Sequence, residues 1–184
     1  KFIIAAVVVI TLTSSALAAA SHVVVEKPPV LSAHDLNSTT HVIKAMCDAF
    51  CPVFSAAGVA GIVGNAMQES SLNPTIKQYG GGPGRGLFQM SVGGLGDYCH
   101  GAGCDIWTAK GQSDFVKETI ISRKWADRAY GWDVATQLHK QLQTDNVADA
   151  ATDFMNGWER CGDCDTANRI RFAEQFYPEV KKYC

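Results

Sequence analysis

The chain has 184 residues, of which 47 % are hydrophobic, with 16 basic against 18 acidic side chains and a formal net charge of −2. That length suits one ordinary domain with its own core. A mildly acidic chain with no basic stripe points away from nucleic acid, and no phosphate loop or metal constellation implies a cofactor.

Residues 1–20 read as a secretory signal peptide. Lys1 precedes an apolar run from Phe2 to Leu12, and small residues follow, ending in Ala16-Leu17-Ala18 or Ala18-Ala19-Ala20. The run is shorter than the ~20 residues of a membrane-spanning helix. The expected product is secreted, with no membrane segment once the leader is gone. Losing Lys1 leaves 15 basic against 18 acidic residues. Residues 21–37 are poorly patterned and hold Pro28-Pro29, as an extended arm would. Asn37-Ser38-Thr39 is an N-glycosylation sequon, relevant only in a eukaryotic secretory pathway. Residues 38–184 remain for the domain itself.

The seven cysteines are Cys47, Cys51, Cys99, Cys104, Cys161, Cys164 and Cys184. Behind a leader, disulfides are the default. Cys99–Cys104 and Cys161–Cys164 suit local bridges, and Cys47 or Cys51 can tie the first helix to Cys184. The odd number leaves one thiol free or paired between chains. The rival reading of Cys161-Gly-Asp-Cys164 as half a zinc site needs a second pair, for which only Cys99, His100 and Cys104 offer ligands.

Hydrophobic spacing predicts a first helix from about Thr39 to Phe50, on Val42, Ile43, Met46 and Phe50, with Ser38 or Thr39 as cap. Pro52 breaks it. A second helix spans about Ser55 to Leu72, with Val59, Ile62, Val63 and Ala66 on its core stripe. Gly58, Gly61 and Gly64 recur at every third position, as if another backbone approaches there. Thr75–Ser91 is glycine-rich and leads into a short apolar strand. Val92–Gly111 reads as loop. Further helices are expected over Ser113–Ala129, Asp133–Gln143 and Val147–Trp158. The last starts near Thr166, capped by Asp165, and runs until Pro178 interrupts it.

Glu69 falls on the core stripe of the second helix, seven residues past Ile62, where a carboxylate is unexpected. Burial and the negative end of the helix dipole both favour the protonated acid, the form a general acid requires. The helix should close near Leu72, because Pro74 disfavours helical geometry at Asn73. Gln89 follows, with two amide donors and one acceptor suited to sugar hydroxyls or an N-acetyl group. Tyr79 can stack on a sugar ring, and Asn156 is a further substrate-binding candidate. A second carboxyl, if there is one, is Asp97 or Glu159. Each of these residues also has a purely structural explanation.

The run Glu69-Ser70-Ser71-Leu72-Asn73-Pro74 followed by Gly86-Leu87-Phe88-Gln89-Met90 resembles the paired motif of the lysozyme superfamily. Lytic transglycosylases and goose-type lysozymes carry it as Glu-Ser, then Gly-Leu-Met-Gln. The phage tail lysozyme domain family is more similar still. Its members open with Gly-Asn-x-x-x-Glu-Ser, as Gly64, Asn65, Glu69 and Ser70 do. They also have a late aromatic-Glu pair like Phe154, Trp158 and Glu159. The resemblance spans roughly residues 40–180.

It implies a mainly α, lysozyme-like fold, in which a small β-hairpin or sheet around residues 76–91 forms one wall of a sugar cleft. It implies a muramidase acting on peptidoglycan or a related N-acetylated polysaccharide, with Glu69 as general acid. Lytic transglycosylases cleave the same bond with one Glu and the sugar's own hydroxyl, so hydrolysis and transglycosylation both stay open. A chitin-directed enzyme or a non-catalytic wall-binding protein on the same scaffold are further readings.

Overall fold

The computed structural model describes residues 33–162 and 164–184, with side chains from residue 38 onward apart from residue 92. The expected leader, and most of the expected arm, lie outside the described residues. Eight α-helices and one two-stranded antiparallel sheet are found among those described, giving the mainly α architecture with a small hairpin. No helix among them is long and apolar enough to cross a membrane.

The helices are α1 (Ala33–Phe50), α2 (Ala56–Ser70), α3 (Val92–Ala102), α4 (Ala109–Ile121), α5 (Arg123–Ala129), α6 (Trp132–Gln141), α7 (Val147–Phe154) and α8 (Thr166–Val180). Strands β1 (Gly84–Arg85) and β2 (Met90–Ser91) pair Gly84 with Ser91 and Arg85 with Met90. A bridge from Lys77 to Arg85 extends the hairpin.

The centre of the fold is α2. Every residue from Ala57 to Ala66 is buried, all but Asn65 apolar, so this helix needs neighbours on all sides. The Ser55 hydroxyl caps it, accepting from Gly58 N at 2.9 Å and donating to Thr144 O at 2.6 Å. The three glycines form the close-approach face that their spacing predicts. A Cβ on Gly58 would stand 2.1 Å from Leu142 O, one on Gly61 2.6 Å from the α7 backbone at Ala150, and one on Gly64 2.6 Å from Arg169 O in α8. These are backbone obstacles that no rotamer change relieves. Gly64→Ala should therefore force α2 and α8 apart and cost about 3 kcal/mol, read as a drop in the urea midpoint without loss of helical circular dichroism.

Several expected boundaries move. The first helix begins at Ala33, so Ser38 and Thr39 lie inside it rather than capping it. The glycine-rich Val92–Gly111 segment contains α3, because Leu95 and Cys99 bury on one side and the Cys99–Cys104 disulfide closes its end. The expected Ser113–Ala129 helix starts earlier, at Ala109, and breaks at Ser122, whose φ of −108° and ψ of 119° are extended. The α7 helix ends at Phe154 and continues as a π turn over Met155–Glu159. Pro178 does not stop α8, which runs on to Val180; so near the end of the helix proline forfeits little. Asp165 occupies the cap position of α8, but its carboxylate accepts from the Asn168 side chain at 2.5 Å instead of capping the backbone.

Three disulfides form: Cys51–Cys184, Cys99–Cys104 and Cys161–Cys164. The first closes a loop of 133 residues, worth about 5 kcal/mol by loop-closure entropy. The odd thiol is Cys47, buried in α1. Burial, with the charges of Asp48 and Glu179, pushes it up to about 12, which leaves it unreactive.

Candidate active site

Glu69 lies one residue before the end of α2, and the chain leaves that helix through two left-handed residues, Ser71 (φ of 53°) and Leu72 (φ of 57°). Two such conformations in non-glycine residues cost roughly 1–3 kcal/mol each. Burial of Leu72 and the Ser70 hydroxyl bond to Ala66 O at 2.8 Å help hold them.

The apolar wall expected around Glu69 is not what the fold builds. The buried Arg169 of α8 donates from Nη2 to Glu69 Oε1 at 2.5 Å. The same guanidinium donates from Nη1 to Asn65 Oδ1 at 2.9 Å and from Nε to Cys164 O at 2.7 Å. Asn65, wholly buried, donates to Gly61 O and Ala151 O, each at 2.9 Å. Glu69 is thus the outer end of a polar chain joining α2, α7 and α8. Its side chain is 20 % exposed against 3 % for Arg169. Oε2 of Glu69 has no hydrogen-bond partner among the described residues.

Glu159 ends the π turn, and its Oε1 is enclosed without a hydrogen-bond partner. Burial pushes its carboxyl well above the usual carboxylate range; the charge of Glu69 adds to this and that of Arg169 opposes it. One buried cation therefore faces two acids, and burial favours the neutral form of Glu159. An unfolded glutamic acid titrates near 4.3. Between that pH and the raised folded value the folded chain binds more protons than the unfolded one, so stability falls as pH rises across this window. Glu159→Gln mimics the protonated acid and does not titrate. Its melting temperature should exceed that of the parent at pH 8, with the gap closing by pH 4; equal pH dependence in both proteins would contradict the assignment.

The sequence Gly86-Leu87-Phe88-Gln89 is a tight turn between β1 and β2 rather than part of a strand. Gly86 has φ of 70°, and a Cβ there would stand 2.3 Å from the Gln112 amide. Gln112 itself, buried in α4, was not legible as a site residue. It accepts from Leu87 N at 2.8 Å and donates to Pro74 O at 2.7 Å and Ile106 O at 2.8 Å, so it clamps the hairpin. On the other side Phe88 sits 5.4 Å from Trp158 and 5.9 Å from Phe154, ring centre to ring centre. Gln89 is left-handed at φ of 47° and donates from Nε2 to Gly86 O at 3.0 Å. It braces its own turn.

Tyr79 is fully exposed and Asn156 is exposed on the π turn. Among the described residues no hydrogen bond links Glu69 to Gln89, Tyr79 or Asn156. Asp97, the other candidate carboxyl, stands on α3 with 74 % of its side chain exposed, 3.9 Å from Arg128.

Beside the hairpin, α3, α4, α5 and the π turn enclose a cleft of about 500 Å³, lined in part by Asp97, Thr119, Trp125, Arg128, Tyr130 and Trp158. Thr119 Oγ1 accepts from Trp158 Nε1 at 3.0 Å, lies 3.2 Å from Tyr130 Oη and donates to Val116 O at 2.7 Å. A larger hollow of about 740 Å³ between α6 and α7 is lined by polar and charged residues, such as Gln137, Lys140 and Asp149, and lacks aromatic rings. Trp158, which lines the first cleft, precedes Glu159 in the chain, but neither Glu69 nor Glu159 is among the residues lining that cleft.

Arg169, which the sequence reading passed over, had a signal. Arg169, Ala173, Phe176 and Val180 are the buried residues of α8, spaced as one stripe. A charge on that stripe, like Glu69 on that of α2, marks a buried pair.

Neither the curated proteins nor the solved structures contain a significant match to the chain. The profile of the phage tail lysozyme family matches residues 44–180, from α1 to the end of α8. The match takes in Asn65, Glu69, the hairpin, Glu159 and Arg169, and the chain belongs to the phage tail lysozyme family, a family of peptidoglycan-lytic, lysozyme-like enzymes.

Proposed function

We propose that the chain is a secreted muramidase that hydrolyses the β-1,4 bond between N-acetylmuramic acid and N-acetylglucosamine, with Glu69 donating a proton to the leaving oxygen. Glu69 itself carries the reading. It is an acid on the apolar stripe of the most buried helix, tethered by one oxygen and still a fifth exposed. A carboxylate serving only the core would be closed off, and one serving only the surface would not be tied to a buried arginine. Glu159, whose carboxyl burial pushes upward, stands within electrostatic reach of Glu69. In its acid form Glu69 donates the proton as the glycosidic C–O bond breaks. Water then adds at the anomeric carbon and gives up a proton to Glu69, which restores the acid. Of the two further carboxyls, Glu159 is the one that interacts with Glu69, while Asp97 faces solvent beside Arg128; burial favours the neutral form of Glu159, which suits it to supply a proton rather than to accept one.

Digestion of purified peptidoglycan followed by product masses tests the proposal. Fragments with reducing ends are the expected result. Fragments with 1,6-anhydro ends would reassign the chain as a lytic transglycosylase. Pelleting with the wall without release of fragments would make it a binding protein.

A further inference from the structure

We propose that Arg128 makes the cleft beside Trp158 a receptor for a carboxylate-bearing N-acetylated saccharide, and so selects muramyl-type chains over neutral chitin-type chains. The inference rests on the glycan-cleaving reading above and names the residue that sets which glycan is taken.

The cleft has the size of a small-ligand site, about 500 Å³. Its walls include the rings of Trp125, Tyr130 and Trp158, which add apolar area suited to the C–H groups of a sugar. They are also fixed before any ligand arrives. Thr119 holds the Trp158 indole N–H, and Phe154 stacks on the Trp158 ring at 5.5 Å and 9°. Tyr130 is anchored to the same threonine, and Arg160 lies 4.8 Å over its ring. Rigid walls spare a bound sugar the cost of ordering them.

Arg128 supplies the charge. Its guanidinium rests 5.0 Å over the Trp125 ring, and Lys124 stands 5.1 Å over the same ring. These two cations, with Arg123 paired to Asp127, make α5 locally positive on a chain whose net charge is −2. The carboxylate nearest to Arg128, on Asp97, stands at 3.9 Å, beyond hydrogen-bonding distance, and both side chains are more than half exposed. Among the described residues no hydrogen bond uses the donors of this guanidinium fork, whose planar geometry matches a carboxylate in bidentate fashion. A chitin-type oligomer offers only hydroxyl and acetamido groups. A muramyl sugar adds a lactyl ether whose carboxyl is free or extended by a stem peptide with carboxylates of its own. Asp97 beside Arg128 accepts from hydroxyl or acetamido N–H groups and competes with an incoming anion for the guanidinium.

The test uses the full chain carrying Glu69→Gln, so that ligands stay intact, and follows tryptophan emission, since Trp125 and Trp158 are cleft walls. The ligands are chitotetraose and a tetrasaccharide of alternating N-acetylglucosamine and N-acetylmuramic acid with free lactyl carboxylates. The charged ligand should bind about tenfold more tightly or better, as a charge-assisted pair predicts. The preference should shrink with added salt, vanish in Arg128→Gln and widen in Asp97→Asn. Equal affinity for the two ligands would overturn the proposal. So would an Arg128→Gln variant that weakens both ligands alike, or an Asp97→Asn variant that weakens the charged one. If peptidoglycan is cut by the parent and not by Glu69→Gln, yet no charge preference appears, this inference fails alone. If the preference appears and the parent cuts no glycan, the catalytic reading fails alone.

Discussion

Glu69→Gln should lower the rate of peptidoglycan lysis about 10²- to 10⁴-fold, the loss expected when a general acid is removed, while the chain stays folded. The amide cannot donate a proton to the leaving oxygen. Its Oε1 can still accept from Arg169, so the polar chain to Asn65 keeps its shape. What changes is charge balance: Arg169 becomes a buried cation with an amide as its nearest partner. Glu159 compensates in part. Freed from the charge of Glu69 and left facing Arg169, its carboxyl moves back toward the ordinary range. A stability loss of about 1–3 kcal/mol is therefore expected, too little to unfold the domain at 25 °C. The measurement is turbidity loss of purified walls, with near-ultraviolet circular dichroism as the folding control. A folded variant retaining more than about a tenth of parental activity would remove Glu69 from the bond-breaking step. A matched Glu159→Gln assay then reports whether the second carboxyl takes part.

Much of this arrangement could be read from the chain, for reasons that differ by residue. Glu69 was visible because an apolar helical stripe is interrupted once. The glycine face of α2 was visible because three glycines at a fixed spacing weaken a helix and need a compensating contact. The two local disulfides followed from proximity in sequence. The α3 helix was hidden because its glycines argue against a helix, and only the packing of Leu95 and Cys99 overrides that local preference. The break at Ser122 carries no proline or glycine to announce it. The π turn inserts one residue into an otherwise regular pattern, and that insertion sets where Trp158 and Glu159 stand. The apolar environment expected at Glu69 failed for a related reason. A stripe shows that a position is covered but not what covers it, and here the covering side chain comes from a helix 100 residues away. The pairing of Glu69 with Arg169 depends on the α2–α8 crossing, which Gly64 permits by letting the two backbones meet.

That crossing makes Arg169→Met the most destabilising substitution expected at the site, at about 3–5 kcal/mol. Methionine fills comparable volume, so little of the cost comes from a cavity. It comes from the acceptors left behind. Glu69 Oε1 loses its partner, Asn65 Oδ1 is stranded in a fully buried amide, and Cys164 O loses the bond that ties the Cys161–Cys164 loop to α8. With the cation gone, nothing offsets the effect of burial and of Glu69 on the Glu159 carboxyl, so the loss should grow from pH 4 to pH 8. Arg169→Lys should fall between parent and Met: it restores the charge, but its compact ammonium cannot replace a planar fork spanning three acceptors. The double variant Glu69→Gln/Arg169→Met separates pairing from packing. If the ion pair dominates, its cost should be at least about 1.5 kcal/mol smaller than the sum of the single losses, read from urea midpoints at constant m-value. Additive losses would mean that Arg169 serves Asn65 and the Cys164 carbonyl independently of Glu69. The acid at the end of α2 would then owe its position to the left-handed exit through Ser71 and Leu72 rather than to the guanidinium beneath it.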